Sequence, residues 1–206
     1  MSNYFEVFDL PSKLQIDTAS LEKQFYTLSR KLHPDRFASK PTAEQEAALA
    51  QSSLLNDGYR TLKDPILRTQ YLLKLEGVEL EEQSKAATDA ARATGEQKKQ
   101  IVPPELLEEV FELNMQLQEM RAAKQMGEDE PELRRDLMTA KDAFDAKMVE
   151  AQAQLESLWA RWDAAVDSGD EAGKAAARDA MVTLLNKRSY LRNLVRDVNE
   201  ALEQPV

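Results

Sequence analysis

The chain has one histidine, His33, and it stands two residues from a carboxylate in Leu32-His33-Pro34-Asp35-Arg36. An imidazole and an aspartate presented together could shuttle a proton. Nothing else in the 206 residues completes such a site. Cysteine is absent, which removes thiol nucleophiles, disulfides and cysteine-ligated metals. There is no Gly-rich phosphate loop, and the remaining carboxylates are of the kind that acidic helical faces supply without catalytic need. The chain therefore reads as a protein that is not an enzyme, with no cofactor and no metal of its own. His33, Pro34 and Asp35 read better as a contact for another protein. Taken alone, His33 could equally be a helix-end histidine favoured by the terminal carbonyls.

The elements that position this corner follow from spacing. Leu21, Phe25, Leu28 and Leu32 form one apolar stripe at helical period, with Asp17 or Thr18 as its cap. Pro34 ends that helix, since it has no amide hydrogen and disfavours helical backbone before it. The outward face carries Lys23, Tyr26, Thr27, Arg30 and Lys31, a basic strip that on an arbitrary helix is an ordinary solvated face. Upstream, Asn3 to Leu10 is a short aromatic-rich helix stopped by Pro11. Downstream, Thr42-Ala43-Glu44 opens a third helix with Leu55, Tyr59 and Leu62 on its inner side. Lys63-Asp64-Pro65 breaks it, and Ile66 to Leu75 forms a fourth helix closed by Glu76-Gly77.

Residues 78 to 102 lack a sustained stripe and read as a linker. Pro103-Pro104-Glu105 then reopens regular structure. Three heptad-like stripes follow: Leu106, Val110, Leu113, Leu117 and Met120; Leu133, Leu137, Ala140, Phe144, Met148, Ala151, Leu155, Leu158 and Trp162; and Met181, Leu184, Leu191, Val195, Val198 and Leu202. Short turns containing Gly127 and Gly169 make neighbours antiparallel, as in a left-handed three-helix bundle. Trp159 is assigned by this pattern neither to core nor to surface. The first bundle helix carries a second stripe, Leu107, Phe111 and Met115, that one packing face cannot bury together with the first. Either bundle neighbours cover it on two sides, or it is an exposed patch for a partner. Counting along the helices puts Tyr190 at the level of residue 109, where it could join that patch, with Glu108, Glu112 and Glu119 as an acidic border.

The expected fold class is all-α in two domains: residues 1–77, a linker at 78–102, and a three-helix bundle at 103–206. With 42% hydrophobic and 31% charged residues the chain fits a folded, helix-rich protein. No apolar run approaches the roughly 20 residues that cross a bilayer, and no secretory or transit pattern is present, so the expected location is cytoplasmic. Residues 1–76 balance ten basic against ten acidic side chains, so all of the net charge of -10 lies beyond them. Such an acidic surface repels phosphate backbones and favours a protein partner over nucleic acid.

The order of short helix, basic helix, His33-Pro34-Asp35 and long helix, followed by Asn56-Asp57-Gly58-Tyr59-Arg60-Thr61-Leu62-Lys63-Asp64-Pro65 with Arg68 and Tyr71, resembles a J-domain of the DnaJ type. With the bundle behind it, and Pro104-Glu105-Leu106-Leu107-Glu108-Glu109-Val110-Phe111-Glu112-Leu113 at its start, nearly the whole chain resembles the HscB-type iron-sulfur co-chaperones. That resemblance implies that His33, Pro34, Asp35, Lys23, Tyr26, Arg30 and Lys31 engage a DnaK/HscA-type ATPase chaperone and stimulate it. It implies that the bundle binds an IscU-type scaffold protein through Leu107, Phe111, Glu112, Met115 and Tyr190. Glu108 replaces a usually apolar position and Met115 a usually acidic one; Gly58 stands where alanine is usual. Eukaryotic members can carry a cysteine-rich N-terminal extension, and the present sequence is similar to the bacterial form. The residues alone also admit a J-domain co-chaperone for a different client, with the bundle a general protein-interaction module.

Overall fold

The computed structural model describes residues 3–78, 80, 102–128 and 130–203, and among these it is helical with no strand. No helix of the described residues is long and apolar enough to cross a membrane. Two compact units result: residues 1–80 together with 158–178, and residues 81–157 together with 179–206. Most of the expected linker at 78–102 lies outside the described residues.

In the first unit, α1 is Tyr4–Val7, α2 Thr18–Lys31, α3 Thr42–Lys63 and α4 Pro65–Leu75, with a 3₁₀ turn at Pro34–Phe37 between α2 and α3. Local chemistry sets the boundaries. The Asp17 carboxylate accepts from the amides of Ala19 and Ser20 at the start of α2, and Asp64 accepts from Ile66 and Leu67 with Pro65 as the first residue of α4. Asn3 and Glu6 form a reciprocal capping box on α1. Packing then closes the unit around Phe5, Phe8, Leu14, Leu21, Leu55, Leu62, Leu72 and Leu73, all fully buried. The Tyr4 amide donates to Tyr71 Oη at 2.9 Å and the two rings stack at 4.4 Å, which fastens α1 to α4. Gly58 lets α1 approach α3: a Cβ there would stand 3.1 Å from the Phe8 ring and 3.2 Å from the Tyr4 ring.

Residues 158–178 come from two long helices, α6 (Pro131–Ser168) and α7 (Glu171–Glu203), and they contribute their own buried groups to this unit. Asp163, itself buried, accepts from the amides of Leu14 and Gln15 at 2.8 Å each. Trp162 Nε1 donates to the Ser12 carbonyl at 3.3 Å, and Lys13 pairs with Asp167. Trp159 is buried. The turn between α6 and α7 thus groups with the N-terminal residues. Its partners lie some 150 residues away in sequence, beyond the reach of any local pattern.

The second unit contains α5 (Leu107–Met126), entered by a 3₁₀ turn at Pro104–Leu106, and the remaining parts of α6 and α7. Its core joins Leu106, Val110, Leu113, Leu117 and Met120 of the first stripe to Leu133, Leu137 and Phe144 of the second and Leu191 and Val198 of the third. Gly127 ends α5 in the left-handed conformation at φ 74, which a side chain would strain. Ion pairs and hydrogen bonds to backbone carbonyls fix the directions. Glu105 meets Lys187 at 3.1 Å, and Lys124 near the end of α5 donates to the Ala201 carbonyl, so α5 and α7 run parallel. Glu109 meets Lys147 at 3.0 Å while Arg134 donates to the Leu202 carbonyl, so α6 runs against both.

Candidate functional site

The corner after α2 is built by three constraints. Leu32 closes the helix with its amide on the Leu28 carbonyl; His33 is extended at φ -60 and ψ 130; Pro34 then starts the 3₁₀ turn. The His33 Nδ1 accepts from the Asp35 amide at 3.4 Å. Asp35 Oδ2 also lies 3.4 Å from that nitrogen. Both side chains are open to solvent, 58% exposed for His33 and 88% for Asp35. Arg36 donates to the Arg30 carbonyl, which folds the turn back on the end of α2. At the far side, Gln45 donates to the carbonyls of Ala38 and Lys40 and holds the loop against the start of α3.

Lys23, Tyr26, Arg30 and Lys31 are exposed on α2, as the spacing predicts. Behind them α2 is tied to α3 by a polar and aromatic network. Phe25 stacks on Tyr59 at 4.1 Å; Tyr59 donates to Glu22 at 3.1 Å; Lys63 donates to Tyr59 Oη at 2.9 Å. The Tyr59 hydrogen bond, with the charge of Glu22 adding to it, raises the Lys63 ammonium above its usual range and keeps it cationic. Glu22 was not singled out by sequence; its i, i+37 relation to Tyr59 and its i, i+41 relation to Lys63 exist only once α2 and α3 are paired.

On the second unit the two α5 stripes separate. Val110, Leu113, Leu117 and Met120 are buried, while Leu107 is 55%, Phe111 70% and Met115 56% exposed. Glu108, Glu112 and Glu119 are exposed on the same helix. Glu105 and Glu109 pair with Lys187 and Lys147 on the flanking helices, and the Glu105 carboxyl is held below its usual range by its own backbone amide first and Lys187 second. Tyr190 does not share the exposed surface. It is only 5% exposed and belongs to the bundle core, where burial, and then the charge of Asp197, push its phenol up. The level inferred by counting is consistent with the Glu105 to Lys187 pair, but rotation about α7 turns the ring into the core. Leu107, Phe111, Glu112 and Met115 thus lie together on α5, with Tyr190 among the residues that α7 buries.

No family model matches the chain. Solved structures do. The chain is similar to chaperone HscB from Vibrio cholerae at 26% identity and a TM-score of 0.59, covering 97% of this chain and 96% of that one. It has the fold of the human co-chaperone protein HscB, at 24% identity and a TM-score of 0.60, covering 97% of this chain and 82% of that one. With the His33-Pro34-Asp35 corner on the first unit and the helical bundle in the second, the chain is similar over almost its whole length to the HscB co-chaperones.

Proposed function

We propose that this protein is an HscB-type co-chaperone that acts in iron-sulfur cluster assembly as an adaptor between two proteins. Its J-domain stimulates the ATPase of a DnaK/HscA-type chaperone in the cytoplasm, and its C-terminal bundle brings an IscU-type scaffold to that chaperone. The observation that carries this reading is the pairing of two exposed surfaces of different chemistry: a charged corner at His33 and Asp35, and an apolar strip at Leu107, Phe111 and Met115.

The corner suits a trigger contact. The loop hydrogen bonds at Arg36 and Gln45 fix it before a partner arrives, so little ordering is needed on binding. Asp35 offers a carboxylate to a partner arginine, a bond worth about 1.5 to 3 kcal/mol once desolvated. Lys23, Arg30 and Lys31 steer the encounter toward an acidic surface, and Tyr26 adds apolar contact. Phe111 and Leu107 anchor the scaffold, with Met115 adapting to its shape and Glu112 bordering it. Tyr190 serves that surface from the core, by fixing α7 against α5. Holding the scaffold beside the chaperone raises its effective concentration there.

The test is steady-state ATP hydrolysis by the cognate chaperone with and without this protein. Stimulation is expected from the wild type and is lost in His33→Gln, which leaves the fold unchanged because His33 is exposed. Equal stimulation by the variant would refute the assignment of the corner.

A further inference from the structure

Asp163 is a buried carboxylate that a co-chaperone surface does not require. It lies in α6, at 8% exposure, and its two oxygens each accept one backbone amide at 2.8 Å, from Leu14 and from Gln15. Neither amide belongs to a helix, so neither has a partner in regular secondary structure. Around this point the segment is held twice more, by Trp162 on the Ser12 carbonyl and by Asp167 on Lys13. Leu14 is fully buried. Two residues beyond Gln15, Asp17 caps α2, the helix that carries the basic strip and ends at His33. The charge of Asp163 also acts on Arg68, which is 5% exposed and donates to the Leu62 carbonyl at the end of α3; burial lowers this guanidinium, and Asp163, then Asp64, oppose that.

We infer that Asp163, in the part of α6 that groups with residues 1–80, is the residue that fixes residues 12–15 and with them the start of α2. A carboxylate is needed because the site presents two donors. Asparagine would match one amide with its oxygen and set its own NH₂ against the other, while alanine would leave both amides without this acceptor, the Leu14 one in a buried site.

Hydrogen–deuterium exchange on the full chain, resolved at single amides, tests this without any partner. In the wild type, Leu14 and Gln15 are expected to exchange at least about tenfold more slowly than the loop amides of Ala38 and Ser39. In Asp163→Asn at least one of the two should speed up by about tenfold or more, together with the first turn of α2, while core amides of the second unit at Leu137 and Leu191 stay as in the wild type. Fast exchange at Leu14 and Gln15 in the wild type would overturn the inference even if the variant does not fold. So would unchanged exchange in the variant, or an equal rise in both units, which would mark a general loss of stability. Because the readout needs no chaperone and no scaffold, its outcome is separate from that of the proposed function.

Discussion

Glycine in the middle of a helix costs about 1 kcal/mol against alanine, so Gly58 must be retained in α3 for what it permits. What it permits is the approach of two aromatic rings, Phe8 at 3.1 Å and Tyr4 at 3.2 Å from the position a Cβ would take. These distances are tight yet not prohibitive, and α1 is only four residues long, so a shift of a few tenths of an ångström can relieve them. Gly58→Ala is therefore expected to change stability by less than about 1 kcal/mol, helix propensity offsetting strain. Gly58→Leu should destabilise by about 2 kcal/mol or more because α1 has to leave its groove, which a urea midpoint measures directly. At this scale the sequence was readable wherever the deciding partner is local: Asp17, one of two cap candidates, caps the helix that follows it, while Lys63-Asp64-Pro65 breaks α3 and Asp64 also caps the next helix. Tyr190 was not, because counting along a helix gives its level and leaves its rotation to packing.

The short helix α1 shows how an element too small to be stable alone is retained. Phe5 and Phe8 are buried, and the Tyr71 hydroxyl accepts the Tyr4 amide under a stacked ring. Burial is the main cause that raises the Tyr71 phenol above its ordinary value of 10, with the hydrogen bond from Tyr4 working the other way. A raised value in the fold means that the neutral phenol is favoured there. Its contribution is fully present below about pH 10 and is lost as pH rises through the folded-state value. Tyr71→Phe should cost about 1 kcal/mol at neutral pH, since the Tyr4 amide loses its acceptor, yet make the alkaline loss of stability shallower. Tyr190, raised by burial as well, keeps the flattening partial. Denaturant midpoints of wild type and variant across pH 8 to 11 check both effects. The helices themselves were legible from their stripes, since Leu21, Leu55, Leu62, Leu113, Leu137 and Leu191 are all buried as the spacing predicts. The fate of the second α5 stripe was not, because whether a neighbour covers Phe111 depends on how far round α5 the other two helices reach.

For the molecule as a whole, residue type fixes the two surfaces while long-range packing fixes the units. The all-α class and the helix order follow from periodicity. The grouping of residues 158–178 with residues 1–80 does not, because Asp163 and Trp162 find their partners at Ser12, Leu14 and Gln15. The corner and the α5 strip belong to different units, so an adaptor built this way should lose one activity at a time. Removing the Leu107 and Phe111 side chains deletes two exposed apolar anchors; each is worth about 1 to 2 kcal/mol in a desolvated interface, or roughly 30- to 1,000-fold in affinity for the pair. Leu107→Ala/Phe111→Ala should therefore weaken scaffold binding by that order, measured by titration calorimetry, and leave scaffold-free stimulation of the chaperone at the wild-type level. His33→Gln should do the reverse, abolishing stimulation while binding the scaffold as the wild type does. Neither change should alter the unfolding free energy from urea titration by more than about 0.5 kcal/mol, because all three side chains are exposed. If the α5 variant lost scaffold-free stimulation, or His33→Gln lost scaffold affinity, the two surfaces would be serving one interaction, and the adaptor would have to give way to a single-partner reading.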